Sequence, residues 1–403
     1  MALLLLSGAV QRGSLAQTPA AISLRLDPDH RRHEARIRDA AAEAVSQYSE
    51  WFGPAPFDRL EVSTTAASAQ PSSDARGQAT IPAHWLQPER SLTLEAGVAR
   101  AVAKQWWGVS VAIPAQFLSD GIAEYAQSRT LERIYDRRHQ RLAYSTYEAR
   151  YFGGLLPWAI RALRLDRQTA GIDRATYRRH HDVDLRDNDP PLRAARAAKV
   201  AAALLTLEHY IGWPALQRGF SLATERYRGR SMSPEDFGRT VSDASDRDLS
   251  WFFNPLFNDA SRWDYAVASV ATEPRRESCG SGPCIRSTVI VERRGNAVFS
   301  GTAHPPTEGF ESGRAIEIEI DFADGQKVTE RWDGRAASKT IVFDGPSPVT
   351  RASIDPRDVL VLDLTRLNNT SVIAPVDSSG LSTWSARWTV WLQDLLVTHA
   401  FFY

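Results

Sequence analysis

The sequence predicts a multidomain protein of the α plus β class, in which a mostly helical region is followed by a β-sandwich. Between residues 34 and 258 apolar residues recur at helical spacing, as at Ile37, Ala41 and Val45. From residue 259 onward they alternate with period two, which is typical of half-buried strands. A chain of 403 residues is long enough for two or three domains.

The composition is that of a globular protein and excludes one large class of partners. Hydrophobic residues make up 43% and charged residues 24% of the chain, both ordinary values. The 48 basic residues balance the 48 acidic residues. Because no net field would attract a polyanion, we expect no nucleic-acid partner.

The first 33 residues are expected to form an N-terminal remnant strand or extension. The opening run M-A-L-L-L-L is apolar but has no basic residue before it, and it is too short to span a membrane. It is therefore a poor match to a signal peptide. Residues 21–26 alternate in the way that a strand does.

Local signals mark helices within residues 34–258. Residues 34–52 are predicted to form a helix that ends at Gly53-Pro54. Residues 194–213 are rich in Ala and Leu, which favours a helix. Ser233 followed by Pro234 has the pattern of an N-cap and first helical residue, with acidic residues in the first turn.

Three segments of this region carry a resemblance to a known family. They are Q-W-W-G at 105–108, G-I-A-E-Y at 121–125 and D-L-S-W-F-F at 248–253. Together they resemble the aminopeptidase N family of gluzincin zinc peptidases. The resemblance implies a thermolysin-like, mostly helical domain over residues 34–258, followed by an immunoglobulin-like domain.

The residues that carry the chemistry in that family are absent at the matching positions. The family places zinc-binding His residues where this chain has Arg100 and Lys104, and its general base where this chain has Ala101. Its third ligand, a Glu, corresponds to Asp120, and its oxyanion-stabilising Tyr corresponds to Ala197. Permanent cations offer zinc no lone pair, and alanine cannot move a proton. We therefore expect no zinc, no other cofactor and no catalytic residue here.

The same positions predict a structural feature. If Arg100, Lys104 and Asp120 converge as the family's zinc ligands do, they form a buried ion-pair cluster. Two cations need more than one anion, and Glu124 or Glu95 is expected to complete the balance.

Residues 259–368 are predicted to form the β-sandwich. Several short alternating segments are separated by turn signals, including A-D-G-Q from Ala323, which is typical of a hairpin. Cys279 and Cys284 flank a turn containing two Gly and one Pro, and they are interpreted as a disulfide, with two free thiols as the alternative.

Residues 369–403 are predicted to be a Trp-rich tail helix. One helical face would carry an apolar stripe, formed by Trp384, Trp388, Trp391, Leu392 and Leu395. Charged and polar residues interrupt the run, so a full membrane span is not expected. The stripe fits a membrane interface, a protein partner or its own chain, and these alternatives stay open.

The function that the sequence favours is that of a pseudopeptidase, a catalytically inactive aminopeptidase-like protein that serves as a binding or scaffolding subunit. The alternatives are an active peptidase or other hydrolase with a divergent site in the same cleft, and a structural β-sandwich adhesin. The cysteine pair favours an exported protein, and the family resemblance implies a bacterial one. We therefore expect an extracytoplasmic, periplasmic location, with association at the membrane periphery as a further expectation.

Overall fold

The structure, a computed structural model, describes residues 20–66, 70–86, 91–138, 183–186, 189–258, 260–279, 282–299 and 316–373. A mostly helical part extends to Asn258, and a part built of antiparallel strands begins at Tyr265. The chain is thus of mixed α and β structure. The change from helices to strands occurs where the apolar period changes from 3.6 to two.

A small parallel sheet opens the helical part. Its three strands, in spatial order, are β1 (Ala21–Arg25), β2 (Arg59–Thr65) and β3 (Gln78–Pro82). Leu60 of β2 is fully buried, as is Ile81 of β3. Because β1 pairs along its whole length with β2, it belongs to this sheet. The predicted N-terminal segment thus contains a strand of this sheet, and the division at residue 33 stays a prediction.

Seven α-helices complete the helical part of the described residues. They are α1 (Glu34–Phe52), α2 (Thr93–Trp106), α3 (Gln116–Arg138), α4 (Arg193–Ile211), α5 (Trp213–Tyr227), α6 (Pro234–Ser245) and α7 (Ser250–Asn258). At the start of α6, Asp236 N donates to Ser233 Oγ over 3.1 Å and Ser233 N donates to Asp236 Oδ2 over 3.2 Å. This reciprocal cap explains why the helix begins there.

Aromatic rings join these helices into one core. The ring of Phe52 in α1 lies 5.3 Å from the ring of Trp107 and 5.3 Å from that of Phe220 in α5. The indole of Trp106 donates to the carbonyl oxygen of Gly53 over 3.0 Å, so its polar atom is satisfied. These contacts fix α2 against the end of α1.

The strands form two antiparallel sheets. They are β4 (Tyr265–Cys279), β5 (Gly282–Arg293), β6 (Ile316–Phe322), β7 (Lys327–Trp332), β8 (Ser338–Gly345), β9 (Val349–Ile354) and β10 (Thr370–Val372). One sheet has the order β10-β9-β6-β7 and the other β4-β5-β8. Alternate residues such as Val289 and Ile318 are buried, as period two requires.

The β6–β7 hairpin and the last strand, β10, lie in segments for which the sequence makes specific predictions. Between β6 and β7 the chain turns at Asp324 and Gly325, where Gly325 has a φ of 87°, as expected for an Asp-Gly hairpin. At the other end, β10 pairs with β9 and so lies inside the sheet. The strand part therefore includes residues up to Val372, and the boundary at residue 369 stays a prediction.

The helical and strand parts share a hydrophobic core. The ring of Trp251 in α7 lies 5.3 Å from that of Phe299, which follows β5. The segment after β9 reaches back to α4, where Leu362 N donates to Thr206 Oγ1 over 3.2 Å. Among the described residues, no helix is long and apolar enough to cross a membrane.

Candidate functional site

The Q-W-W-G segment holds α2 against the loop between β2 and β3. The side chain of Gln105 is fully buried and accepts a hydrogen bond from Gly77 N over 2.8 Å. It also donates to the carbonyl oxygens of Ala75 and Gln78, at 3.0 and 2.8 Å. Gln105 thus satisfies three backbone groups of the loop and of the start of β3, which is a structural role.

The end of α2 sets the direction of α3. Gly108 has a φ of 145°, and a Cβ there would lie 3.1 Å from Ser119 Oγ. The hydroxyl of Ser119, near the start of α3, donates to the carbonyl oxygen of Trp107. This short connection brings one face of α2 against one face of α3.

Two ion pairs cross between those faces. Arg100 and Lys104 are four residues apart on α2, and Asp120 and Glu124 are four residues apart on α3, so each pair shares a helical face. Lys104 Nζ contacts Asp120 Oδ1. Arg100 Nη2 lies 3.1 Å from Glu124 Oε2. Asp120 thus meets Lys104 as the sequence predicts, whereas Arg100 pairs with Glu124 and not with Asp120.

Arg193, at the first position of α4, is a third cation of the cluster and was not predicted from the sequence. Its Nε lies 2.6 Å and its Nη2 3.3 Å from the two oxygens of Asp120. Asp120, 4% exposed, therefore accepts hydrogen bonds from both Lys104 and Arg193. No local sequence signal singles out Arg193, because the pairing spans 73 residues and depends on how α4 packs against α3.

Burial and charge shift the pKa values of the central pair. Burial alone would raise the pKa of Asp120, but the charge of Lys104 and the hydrogen bonds from Arg193 and Lys104 outweigh it and lower that pKa. Burial also lowers the pKa of Lys104, against the attraction of Asp120. The charges of Arg100 and Arg193 lower the pKa of Lys104 further.

Ala101 and Ala197, which the sequence resemblance placed at the positions of a general base and an oxyanion donor, are packed in the interior. Ala101 has no exposed surface, and its carbonyl oxygen accepts a hydrogen bond from Ser73 Oγ over 2.6 Å. Ala197 lies on the part of α4 that packs against Gly121 of α3, since a Cβ on Gly121 would meet the Ala197 carbonyl oxygen at 3.1 Å. Neither side chain has a polar atom that could donate or accept a proton.

Glu95, considered as a partner for the cations, has a different contact in the structure. It is fully buried and bonds Arg36 of α1 through both oxygens, at 2.9 and 2.6 Å. This bidentate pair ties α1 to the start of α2. Glu124 is therefore the acid that accompanies Asp120 in the cluster.

A zinc ion does not fit these residues. Zinc needs deprotonated oxygen, nitrogen or sulfur ligands, and both oxygens of Asp120 already accept hydrogen bonds from cations. Arg100 and Lys104 have only donors to offer. Nowhere in the described ranges do three or more His, Cys, Asp or Glu side chains group as a metal site.

A second polar cluster lies farther along α3. Tyr125 Oη and Arg129 Nη1 both donate to the carboxylate of Glu208 in α4. The guanidinium of Arg129 also lies 3.6 Å from the centre of the Trp213 ring, within cation–π range. Burial, reinforced by Glu208, raises the pKa of Tyr125, so its hydroxyl stays protonated and serves to join α3 to α4.

The remaining predicted residues lie away from the cluster. Cys279 and Cys284 form a disulfide where β4 and β5 meet. The tail residues Trp384, Trp388, Trp391, Leu392 and Leu395 lie outside the described residues.

Comparison with known proteins supports the fold. No family model and no curated protein matches the sequence. Among solved structures, the chain is similar to Legionella pneumophila aminopeptidase A in complex with aspartic acid, with a TM-score of 0.52 and 14% sequence identity. The match covers 85% of this chain but 36% of that structure, so this chain spans about a third of its length. The likeness shows a peptidase-like fold.

Proposed function

We propose that the protein is a pseudopeptidase, a catalytically inactive relative of the aminopeptidase N-like zinc peptidases that acts as a binding or scaffolding subunit. The observation that carries this proposal is the state of Asp120. Its two oxygens accept hydrogen bonds from Lys104 and Arg193, so the residue that resembles a zinc ligand serves an ion pair. Metal-assisted hydrolysis would require breaking this buried pair.

The missing proton-transfer groups support the same conclusion. Hydrolysis of a peptide bond needs an activated water and a donor for the developing oxyanion. At the positions that resemble those of the family, the chain has Ala101 and Ala197, both buried. Each missing role typically lowers the rate by ~10²-fold or more. The hydroxyl of Ser119, which is close to the cluster, is bonded to the Trp107 carbonyl at the turn before α3.

The proposal also covers the fold types of the two parts, the location of the protein and the role of its tail. These are supported by the family resemblance, by the disulfide and by the apolar tail residues. The helical part is proposed to be thermolysin-like and the strand part immunoglobulin-like. The Cys279–Cys284 disulfide favours an extracytoplasmic location, because such bonds persist in oxidising compartments. The Trp-rich tail is proposed to bind a protein partner or the membrane surface.

The test is a metal and activity measurement on the full chain. Purified protein, dialysed against zinc and then against buffer, should contain less than stoichiometric zinc by elemental analysis and should not cleave aminoacyl reporters. A matched variant with Arg100→His, Lys104→His and Asp120→Glu restores the ligand types, at the same helical spacing. It is expected to gain zinc but not activity, since Ala101 still provides no base.

Stoichiometric zinc in the unmodified protein, together with reporter cleavage that a chelator abolishes, would contradict the proposal. Zinc bound without cleavage would contradict the ion-pair argument and leave the inactivity to be explained by Ala101 and Ala197 alone.

A further inference from the structure

The ion-pair cluster is not balanced in charge. Arg100, Lys104 and Arg193 are three cations, whereas Asp120 and Glu124 are two acids, which leaves an excess of one positive charge among these residues. The pKa of Lys104 reflects this excess, because it is lowered by burial and further by Arg100 and Arg193. An uncompensated charge in a largely buried place is unfavourable unless a further anion approaches.

The three cations Arg100, Lys104 and Arg193, here called the cationic cleft, are exposed to solvent mainly at Arg193. The Arg193 side chain is 45% exposed, while those of Lys104 and Arg100 are 12% and 11% exposed. Arg193 holds Asp120 through Nε and Nη2, so Nη1 takes no part in that pair. The exposure of the three cations therefore decreases from Arg193 at the surface to Arg100 in the interior.

Arg100 supplies an independent sign of an incomplete site. The residue is 91% buried, yet its Nε is a buried donor with no acceptor in the part of the chain that the structure describes. Buried donors are nearly always paired, and an unpaired one costs about as much as a lost hydrogen bond. An acceptor from outside this part of the chain would satisfy it.

We propose that the cationic cleft binds a monocarboxylate, either as a free small molecule or as the terminal carboxylate of a peptide. A single negative charge cancels the excess, whereas a phosphate dianion would reverse it. A carboxylate also matches guanidinium donors, which present parallel N–H groups to its two oxygens. The proposal rests on the proposed function, since a zinc site at these positions would require the ion pairs to open.

Calorimetric titration of the full chain tests this inference. The probes are N-acetyl-alanyl-alanine, its C-terminal amide, acetate and inorganic phosphate. The peptide acid is expected to bind saturably, and the amide, which differs only in lacking the charge, is not. If acetate competes with the peptide acid, the free carboxylate suffices; if it does not, the peptide is required. Both outcomes support the cleft.

Two charge variants assign the binding to this place. Arg193→Gln is expected to weaken binding of the peptide acid about ten-fold or more, since it removes a charge-assisted donor. The matched control is Arg226→Gln, which removes an exposed arginine from its pair with Asp243 and should leave binding unchanged. A cooperative thermal unfolding transition in each variant establishes that the variant is folded.

The inference would be overturned by equal affinity for peptide acid and amide, or by unchanged binding in Arg193→Gln. It would also be overturned by no saturable binding of either carboxylate up to about 10 mM, well above the range of specific affinities. Preferential binding of phosphate would also overturn it. If Arg193→Gln does not fold, the comparison of acid with amide on the unmodified chain still decides. The zinc content of the same samples reports separately on the pseudopeptidase proposal.

Discussion

Removing the charge of Asp120 should destabilise the protein strongly. Asp120→Asn keeps the size of the side chain but leaves three cations facing Glu124 alone. Breaking one partner of a buried ion pair costs about 3–5 kcal/mol, because the other charge stays buried without compensation. We expect the free energy of unfolding to fall by about that amount.

The contacts of Asp120 give the same magnitude. Its oxygens accept one hydrogen bond from Lys104 and two from Arg193, all from charged donors. Such bonds contribute about 1.5–3 kcal/mol each where they are buried. Arg193 is 45% exposed, so solvent screens its share, and most of the loss comes from Lys104. In Asp120→Asn one side-chain oxygen is also replaced by an NH2 group, which faces the donors of Lys104 and Arg193 and cannot accept a hydrogen bond from them.

Urea unfolding of the variant and of a matched control measures the effect. Asp243→Asn makes the same chemical change in the pair with Arg226, whose two side chains are 48% and 40% exposed. Exposed pairs contribute about 0–1 kcal/mol, so the control should change little.

The pH dependence adds a second criterion. The folded-state pKa of Asp120 is depressed, so its stabilisation is fully present above the unfolded value of 3.8 and is lost as pH falls through the folded pKa. The difference between wild type and Asp120→Asn should therefore hold from pH 7 to 5 and shrink only below 3.8. A difference within about 1 kcal/mol of the control at pH 7, or one that already vanishes at pH 5, would refute the reasoning.

Three further predictions concern packing, titration and the tail. Gly121→Ala should destabilise by about 1–3 kcal/mol, because its Cβ would lie 2.4 Å from that of Val200, whereas Gly345→Ala, with no neighbour within 4 Å, should change the melting temperature little. Burial raises the pKa of Asp363 to about 7, so its contribution to stability is present below pH 3.8 and is lost as pH rises through 7. Between pH 5 and 8 the free energy of unfolding of Asp363→Asn, measured with urea, should therefore rise by about 3 kcal/mol relative to that of wild type. If this difference does not change with pH, a group other than Asp363 titrates. A chain ending at Ser382 should keep both parts folded by circular dichroism but bind anionic vesicles or a protein partner less; loss of folding would show that the tail belongs to the core.

The elements of the fold were predictable where local chemistry decides them. The helix α1 has the predicted bounds because Gly53 and Pro54 cannot continue it. The start of α6 follows from the Ser233 cap, and the β6–β7 hairpin from Asp324-Gly325. The sheets to which β1 and β10 belong could not be predicted in this way. Both strands are short, and tertiary contacts determine which strands they pair with.

The candidate site was predictable in its composition but not in its pairing. Helical spacing places Arg100 and Lys104 on one face, and the motif resemblance brings Asp120 opposite. Whether Arg100 meets Asp120 or Glu124 depends on the offset between α2 and α3, which no local pattern encodes. Arg193 arrives from α4, whose position depends on the absence of a side chain at Gly121.

Stability alone does not account for the composition of the cluster. Buried ion pairs are on average no more stabilising than well-packed apolar residues of similar volume, so two apolar layers would join α2 to α3 at least as well. An equal number of acids and bases would at least be neutral. The cluster instead has a third cation that is half exposed and a buried donor, Arg100 Nε, for which the described residues provide no acceptor. The unpaired buried donor is unfavourable by itself, and the proposed anion would supply both an acceptor and the missing negative charge. A binding role explains the excess charge, whereas a purely structural role leaves it as a loss of stability.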